Sequence, residues 1–176
     1  QAVTVFEIFY DAVNGRPASR GGVHRINMLP TTSHVYFGSV TGATADGRKA
    51  FMPLSEGISP SQGADSQGPT SVIRSASKID HLRTGGTLLN QKFSPRFFED
   101  EDSYNCLTAL IRSYFSLDGH HIQFNVVNAE TLRDAQKHPE LYRDLIVRVA
   151  GYSDYFNDLG EDLQNEIILR TEHGAE

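Results

Sequence analysis

Apolar residues recur along this chain with two different spacings, and each change of spacing marks the edge of an element. Residues 2–13 read as a helix that stops at Asn14-Gly15 and Arg16-Pro17. Val23–Leu29 and Ser33–Thr41 read as strands on either side of the breaker Pro30-Thr31-Thr32. From Gly42 to Gly68 the chain is rich in Gly, Ser, Pro and Asp, which is the composition of a loop. A loop this long inside a compact domain is usually functional or lid-like. Pro69 suits the first turn of a helix running to about Leu82. Thr87–Phe93 then reads as a short strand, Phe97–Leu117 as a helix and Ile122–Val127 as another strand. Asn128 is placed to cap a helix containing Thr131–Lys137, which Pro139 ends or restarts. Leu145–Val149 is the last predicted strand, and Asp158–Thr171 an amphipathic helix with Leu159, Leu163 and Ile167 on one face.

Strands alternating with helices predict an α/β architecture with crossover connections. The pattern holds about five strands, too few to close a barrel of roughly eight or more. The expectation is therefore an incomplete barrel whose other strands lie on further residues. The opening Gln1-Ala2-Val3 lacks an initiator methionine and runs straight into Val5-Phe6-Glu7-Ile8-Phe9-Tyr10. It reads like the middle of a longer protein, as a fragment, a split gene product or a processed chain would.

Composition narrows the function classes. With 176 residues, 39% hydrophobic and 22% charged, the chain can bury a core and is not of the disordered class. A formal net charge of −6 argues against nucleic acid or an anionic membrane as partner. No apolar run approaches the length of about 18 residues that spans a bilayer. No secretory signal opens the sequence and its single cysteine excludes an internal disulfide framework, so the cytoplasm is the expected compartment.

Familiar catalytic patterns are few. Cys106 lies in an amphipathic helical pattern without an activating charge, so a small buried hydrophobe is the better reading than a thiol nucleophile. His120 and His121 precede a strand, where neighbours point to opposite faces, and the other histidines lack ligand spacing, so no metal site is expected. There is no phosphate loop, dinucleotide fingerprint or serine elbow. One glycine is unusual. Seven of the ten residues flanking Gly151 are aliphatic or aromatic, so it is not in a polar surface turn. The residues alone leave open whether it marks a tight buried turn or something chemical.

Arg148-Val149-Ala150-Gly151-Tyr152-Ser153 resembles the signature of the glycyl radical enzymes, the family of pyruvate formate-lyase and the radical dehydratases. Further segments resemble the family in the same order. They are residues 42–48 (GATADGR), 53–60 (PLSEGISP), 86–90 (GTLLN), 120–127 (HHIQFNVV) and 132–136 (LRDAQ). The resemblance runs from about Arg20 to His173 and implies the C-terminal part of a ten-stranded α/β barrel, incomplete here. It divides the chain into barrel strands and a helix at 1–40 and a glycine radical domain at 41–176.

The resemblance also implies the chemistry. Gly151 would carry a radical installed by an activating enzyme that uses S-adenosylmethionine and a [4Fe-4S] cluster, with no permanently bound cofactor. Glycine suits this because a planar α-carbon radical is delocalised between an electron-donating amide nitrogen and an electron-withdrawing carbonyl. The apolar neighbours of Gly151 would keep solvent and dioxygen away. A cysteine from an earlier loop, followed two residues later by glutamate, would then generate the thiyl radical that attacks a small-molecule substrate. Cys106 departs from that pattern, because Thr108 stands where the glutamate belongs. The chain therefore needs the rest of the barrel for its cysteine and would be inactive alone. The complete enzyme would be a homodimer.

Ala150, the Gln91-Lys92-Phe93 segment and Gly119-His120-His121 resemble the dehydratase and lyase branch more than pyruvate formate-lyase. Glycerol or propanediol dehydratase, hydroxyproline dehydratase and isethionate sulfite-lyase all remain open as types. The alternatives are a stand-alone glycyl radical replacement subunit and a formate acetyltransferase-type enzyme. Arg25, Thr31, Thr32 and His34, on or between the two early strands, are candidate substrate-binding residues. Arg25 is suited to pairing with a carboxylate or sulfonate.

Overall fold

The run Leu89-Asn90-Gln91-Lys92-Phe93 sets three polar residues between two apolar ones, yet all five are buried, so both faces of this strand are covered. In the computed structural model, which describes residues 1–170 and 172–174, it forms β1 (Leu89–Phe93), the centre of a three-stranded sheet. β2 (Ile122–Val126) runs parallel to it in a register from Leu89↔Ile122 to Phe93↔Val126. β5 (Glu172–His173) pairs parallel at Lys92 and Phe93 only. Where β5 stops short, the loop before β1 takes its place: Ile58 N donates to Leu88 O at 2.9 Å and Asn90 N to Ser59 Oγ at 2.9 Å. Parallel neighbours need a crossover, and α4 (Glu101–Ser116) supplies it. Asp100 caps that helix by accepting from Ser103 N at 2.8 Å.

The pleat sends odd and even residues of β1 to opposite sides. Leu89 and Phe93 join Leu110 and Tyr114 of α4 and Val72, Ile73 and Ala76 of α3 (Pro69–Ala76) in one apolar cluster. On the other side, Leu88 and Val127 join a second cluster with Leu132 and Ala135 of α5 (Ala129–Lys137). Val147, Val149, Ala150, Phe156 and Ile167 complete it. Ile167 belongs to α6 (Glu161–Leu169), and Val147 to a hairpin of β3 (Ile146–Arg148) and β4 (Ser153–Tyr155). Full burial of one such leucine or isoleucine contributes about 1.5–3 kcal/mol. Asn128 caps α5 as expected, accepting from Thr131 N at 2.7 Å.

Several expectations need correction. Ser33–Thr41 is not a strand: Ser33–Ser39 forms helix α2, with His34 and Gly38 buried four residues apart. The Pro30 turn feeds directly into it, since Ser33 donates from both N and Oγ to Pro30 O at 3.0 and 2.6 Å. Val23–Leu29 is extended but makes only isolated bridges, Pro17↔Val23 and Met28↔Thr87. Pro30, which has no N–H to donate, stops the ladder there. Leu145–Val149 does give a strand, but it pairs antiparallel with β4 rather than joining the parallel sheet. The last helix ends at Leu169, and the expected end at Thr171 lies outside the described residues. The helix expected over 69–82 stops at Ala76, followed by a short 3-10 turn at His81–Arg83. Cys106 lies on α4 as expected but is exposed rather than buried, because the helix buries Ser103, Leu110 and Tyr114 instead.

The early helices are thinly packed. In α1 (Ala2–Val13) only Phe6 is buried, while Val5 and Ile8 are each 66% exposed. Arg83 holds α1 to the body by stacking on Tyr10 at 4.0 Å and pairing with Asp11 at 3.1 Å. Tyr36 and Phe37 of α2 and Val40 just after it are also exposed. Among the described residues no helix is long and apolar enough to cross a membrane. Expressed by itself, the chain should self-associate through these faces, with amide hydrogens of α1 and α2 exchanging much faster than those of β1. Sedimentation velocity and hydrogen exchange measure both. A monodisperse monomer with a slowly exchanging α1 would contradict the expectation.

Candidate functional site

Gly151 is at the tip of the β3–β4 hairpin. Arg148 pairs with Ser153, and Val149 N donates to Tyr152 O at 2.9 Å, which leaves Ala150-Gly151 as a two-residue turn. Gly151 has φ +80°, the value that the second central residue of a type II turn adopts. An L-residue there is strained by about 1–2 kcal/mol. Space is not the constraint: a Cβ on Gly151 would meet only Leu88 Cδ1, at an ordinary 3.7 Å. The need for glycine at this turn is conformational.

What holds the turn comes from the polar side of the sheet. Asn90 and Lys92 of β1 and Gln123 and Asn125 of β2 share the face turned toward the hairpin, paired in register as Asn90↔Gln123 and Lys92↔Asn125. Asn125 grips Arg148 like a backbone partner, accepting from its N at 2.7 Å and donating to its O at 2.8 Å. Gln123 Oε1 accepts from Gly151 N at 3.0 Å and from Arg148 Nε at 2.9 Å. Gln123 Nε2 donates to Val149 O at 3.2 Å and to Asn90 Oδ1. Asn90 Nδ2 in turn donates to Val149 O at 3.3 Å and to Glu56 Oε2. Val149 O takes a third donor, Arg170 Nη1, at 3.0 Å.

Charged groups close the network from behind. Glu166, buried on α6, receives Arg170 Nη2 at 2.7 Å and Gln62 Nε2 at 3.3 Å, and His34 Nε2 lies 3.6 Å from its Oε1. Burial pushes the Glu166 carboxyl up, but His34 and Arg170 outweigh it and hold the group at about 2. Glu56 goes the other way. Burial raises its pKa against the opposing pull of Arg170 and Asn90. Burial also draws Lys92 down to about 8, and its Nζ donates to Ile168 O at 3.0 Å near the end of α6. The Gly42–Gly68 loop forms a wall of this cluster, contributing Glu56, Ser59 and Gln62.

The apolar screen expected around Gly151 is only half present. Val149 and Ala150 are buried, whereas Gly151 itself is exposed. A two-residue tip turns its inner polar groups to the sheet and leaves its outer side bare. The four early candidates are not on strands. Arg25 lies on the extended 23–29 segment, exposed and without an ion pair among the described residues. Thr31, at φ +58°, and Thr32 form the turn before α2, and His34 is turned inward to Glu166. Sequence reasoning did not single out Asn90, Gln123, Asn125, Glu166 or Arg170. The signal for Gln123 and Asn125 was the amide at every second position of an otherwise apolar strand; Asn90, followed by Gln91 and Lys92, carried no such alternation.

The Glu166 shift has a definite sign. Its pKa falls from an ordinary 4.5 to about 2 on folding, so its contribution is complete above 4.5 and is lost as pH falls through that interval. Glu56 contributes with the opposite sign. Glu166→Gln should therefore destabilise the protein at neutral pH and flatten the acid limb of stability against pH. Denaturant unfolding at a series of pH values measures this, and an unchanged slope between 4.5 and 2 would be inconsistent with it.

The glycine radical family model matches residues 54–157, more than half of the chain. The chain is 55% identical over 168 residues to the trans-4-hydroxy-L-proline dehydratase of Clostridioides difficile, covering 96% of this chain and 21% of that enzyme. It is 48% identical over 158 residues to the isethionate sulfite-lyase of Oleidesulfovibrio alaskensis, covering 88% of this chain and 19% of that one. Among solved structures, the glycerol-bound form of the B12-independent glycerol dehydratase from Clostridium butyricum matches with a TM-score of 0.94 at 48% identity, over 99% of this chain and 22% of that chain. The chain thus spans about a fifth of the length of these relatives. With a family match across the hairpin and a shared mixed α/β fold, the chain belongs to the glycyl radical enzymes, in their dehydratase and lyase branch.

Proposed function

We propose that this chain is the radical-bearing part of a glycyl radical lyase and that Gly151 holds the radical. The observation that carries the reading is the hairpin tip itself: a glycine at positive φ, bare on its outer side, with its inner groups fixed by buried amides. An activating enzyme, using S-adenosylmethionine and a [4Fe-4S] cluster, takes one α-hydrogen atom from Gly151. The radical left behind is shared between the flanking amide nitrogen and carbonyl. A cysteine on the remaining part of the barrel, packed over the exposed side of the tip, then returns a hydrogen atom to Gly151 and becomes a thiyl radical. The thiyl takes hydrogen from a small substrate, which expels a neighbouring hydroxyl or other leaving group. Cys106 does not fill this role, since α4 packs on the far face of the sheet from the hairpin.

The named activities of the relatives suggest the substrate class. Trans-4-hydroxy-L-proline and isethionate each carry an anionic group, a carboxylate and a sulfonate, and Arg25 is an exposed cation free of an acidic partner among the described residues. Arg25, with Thr31, Thr32 and His34 near it in sequence, is our candidate for the substrate side. In the complete enzyme, Arg25→Ala should raise KM for an anionic substrate by about ten-fold or more, the loss expected for a buried charge-assisted pair. Unchanged KM would make Arg25 a surface residue only.

Gly151 is tested by electron paramagnetic resonance. After anaerobic activation, the complete enzyme should show an organic radical with a doublet splitting, because one α-hydrogen remains. Gly151→Ala should abolish the signal and turnover, and should cost about 1–2 kcal/mol of stability because φ +80° does not suit alanine. Melting curves therefore accompany the activity assay. Air should cut the activated chain at Gly151 and at no other glycine. A signal that survives Gly151→Ala, or cleavage mapped elsewhere, would reject the assignment.

A further inference from the structure

The two sides of Gly151 are held very unequally. Its N–H donates to Gln123 Oε1 at 3.0 Å, and the same side chain donates to Val149 O at 3.2 Å, so one amide fixes the peptide groups on the N-terminal side of the turn. Gln123 is itself locked: it is 5% exposed, its oxygen also accepts from Arg148 Nε at 2.9 Å, and its nitrogen also donates to Asn90. By contrast, among the described residues the Gly151 carbonyl accepts no hydrogen bond, and the residue is exposed.

This asymmetry bears on the shape a radical must take. When the Cα–H bond breaks, the hydrogen atom leaves with one electron and bonds to the carbon radical of the activating enzyme. One electron stays on a now planar Cα. Its orbital overlaps the amide nitrogen fully only when the carbonyl carbon lies in the plane of the preceding peptide, with φ near 180°. At φ +80° it does not, so the torsion must change by roughly 100° (180 − 80). Either the Ala150–Gly151 peptide swings or the carbonyl side does.

We propose that Gln123 is the positioning residue for the radical glycine: it pins the Ala150–Gly151 peptide plane, so that flattening takes place on the carbonyl side. The proposal rests on reading Gly151 as the radical site. It fits the placement of Leu88 Cδ1, the nearest atom to an added Cβ at 3.7 Å, which leaves room beside the tip.

The test is the radical line shape in the anaerobically activated complete enzyme. In Gln123→Leu the doublet should persist but spread over a range of torsions, with the wild-type line shape falling about ten-fold, the equilibrium factor of one lost hydrogen bond. Gln123→Glu keeps an acceptor for Gly151 N–H but loses the donor to Val149 O and Asn90, so it should spread the doublet less than Gln123→Leu without restoring the wild-type line shape. Asn125→Leu serves as the structural control, because Asn125 grips Arg148 at 2.7 and 2.8 Å and does not touch Gly151. It should destabilise the hairpin without spreading the doublet. If Gln123→Leu fails to fold, Gln123→Asn, one methylene too short to reach, should give the same spreading. A wild-type line shape in Gln123→Leu or Gln123→Asn overturns the proposal, as does equal spreading in Asn125→Leu. Absence of any doublet in the wild type would instead overturn the radical assignment, which Gly151→Ala reports on separately.

Discussion

The carbonyl of Val149 accepts from Asn90, Gln123 and Arg170, and the arrangement of the site follows from that one acceptor. Those donors arrive from β1, β2 and the end of α6, so the hairpin tip can only take its place once all three elements are assembled. Each such bond is worth about 1 kcal/mol net, but a donor left unpaired in this buried layer would cost more than that. The network is therefore closed by necessity. Arg170 needs Glu166, Asn90 needs Glu56, and the Gly42–Gly68 loop is folded down to supply the second of these.

A sheet with one apolar and one amide-lined face divides the labour between its sides. Leu89 and Phe93 anchor β1 to α3 and α4, while Asn90 and Lys92 two pleats apart address backbone. An apolar lining would press on the hairpin without fixing its rotation. Directional amides fix both the height and the twist of the tip.

Much of this could be read in the sequence, and the remainder failed for identifiable reasons. Helix caps such as Asn128 and the strands at Ile122 and Leu89 are local signals and appeared where expected. Gly151 stood out because its apolar surroundings suit a buried turn, although its outer side proved bare. The Ser33–Ser39 segment failed because Val35 and Phe37 resemble a strand. What settles it is the close approach of Gly38 to the backbone of Met52 and Pro53, which is not local information. The same limit applies to Gln123 and Asn125: their alternation was legible, but a strand does not declare what its polar face will meet. β5, two residues long, exists only because β1 offers an edge.

The segment beyond the tip is tied down independently of the peptide bond that leads into it. β4 is zipped to β3, Lys92 holds the Ile168 carbonyl, Glu172 receives the first N–H of α5 at 2.8 Å, and β5 lies along β1. A break in the backbone at Gly151 would consequently release nothing. The two pieces would stay together with their former outline and mass, and a native gel or sizing column would pass the nicked molecule as whole. Damage at this position would be silent to such sizing and would show once the protein is unfolded.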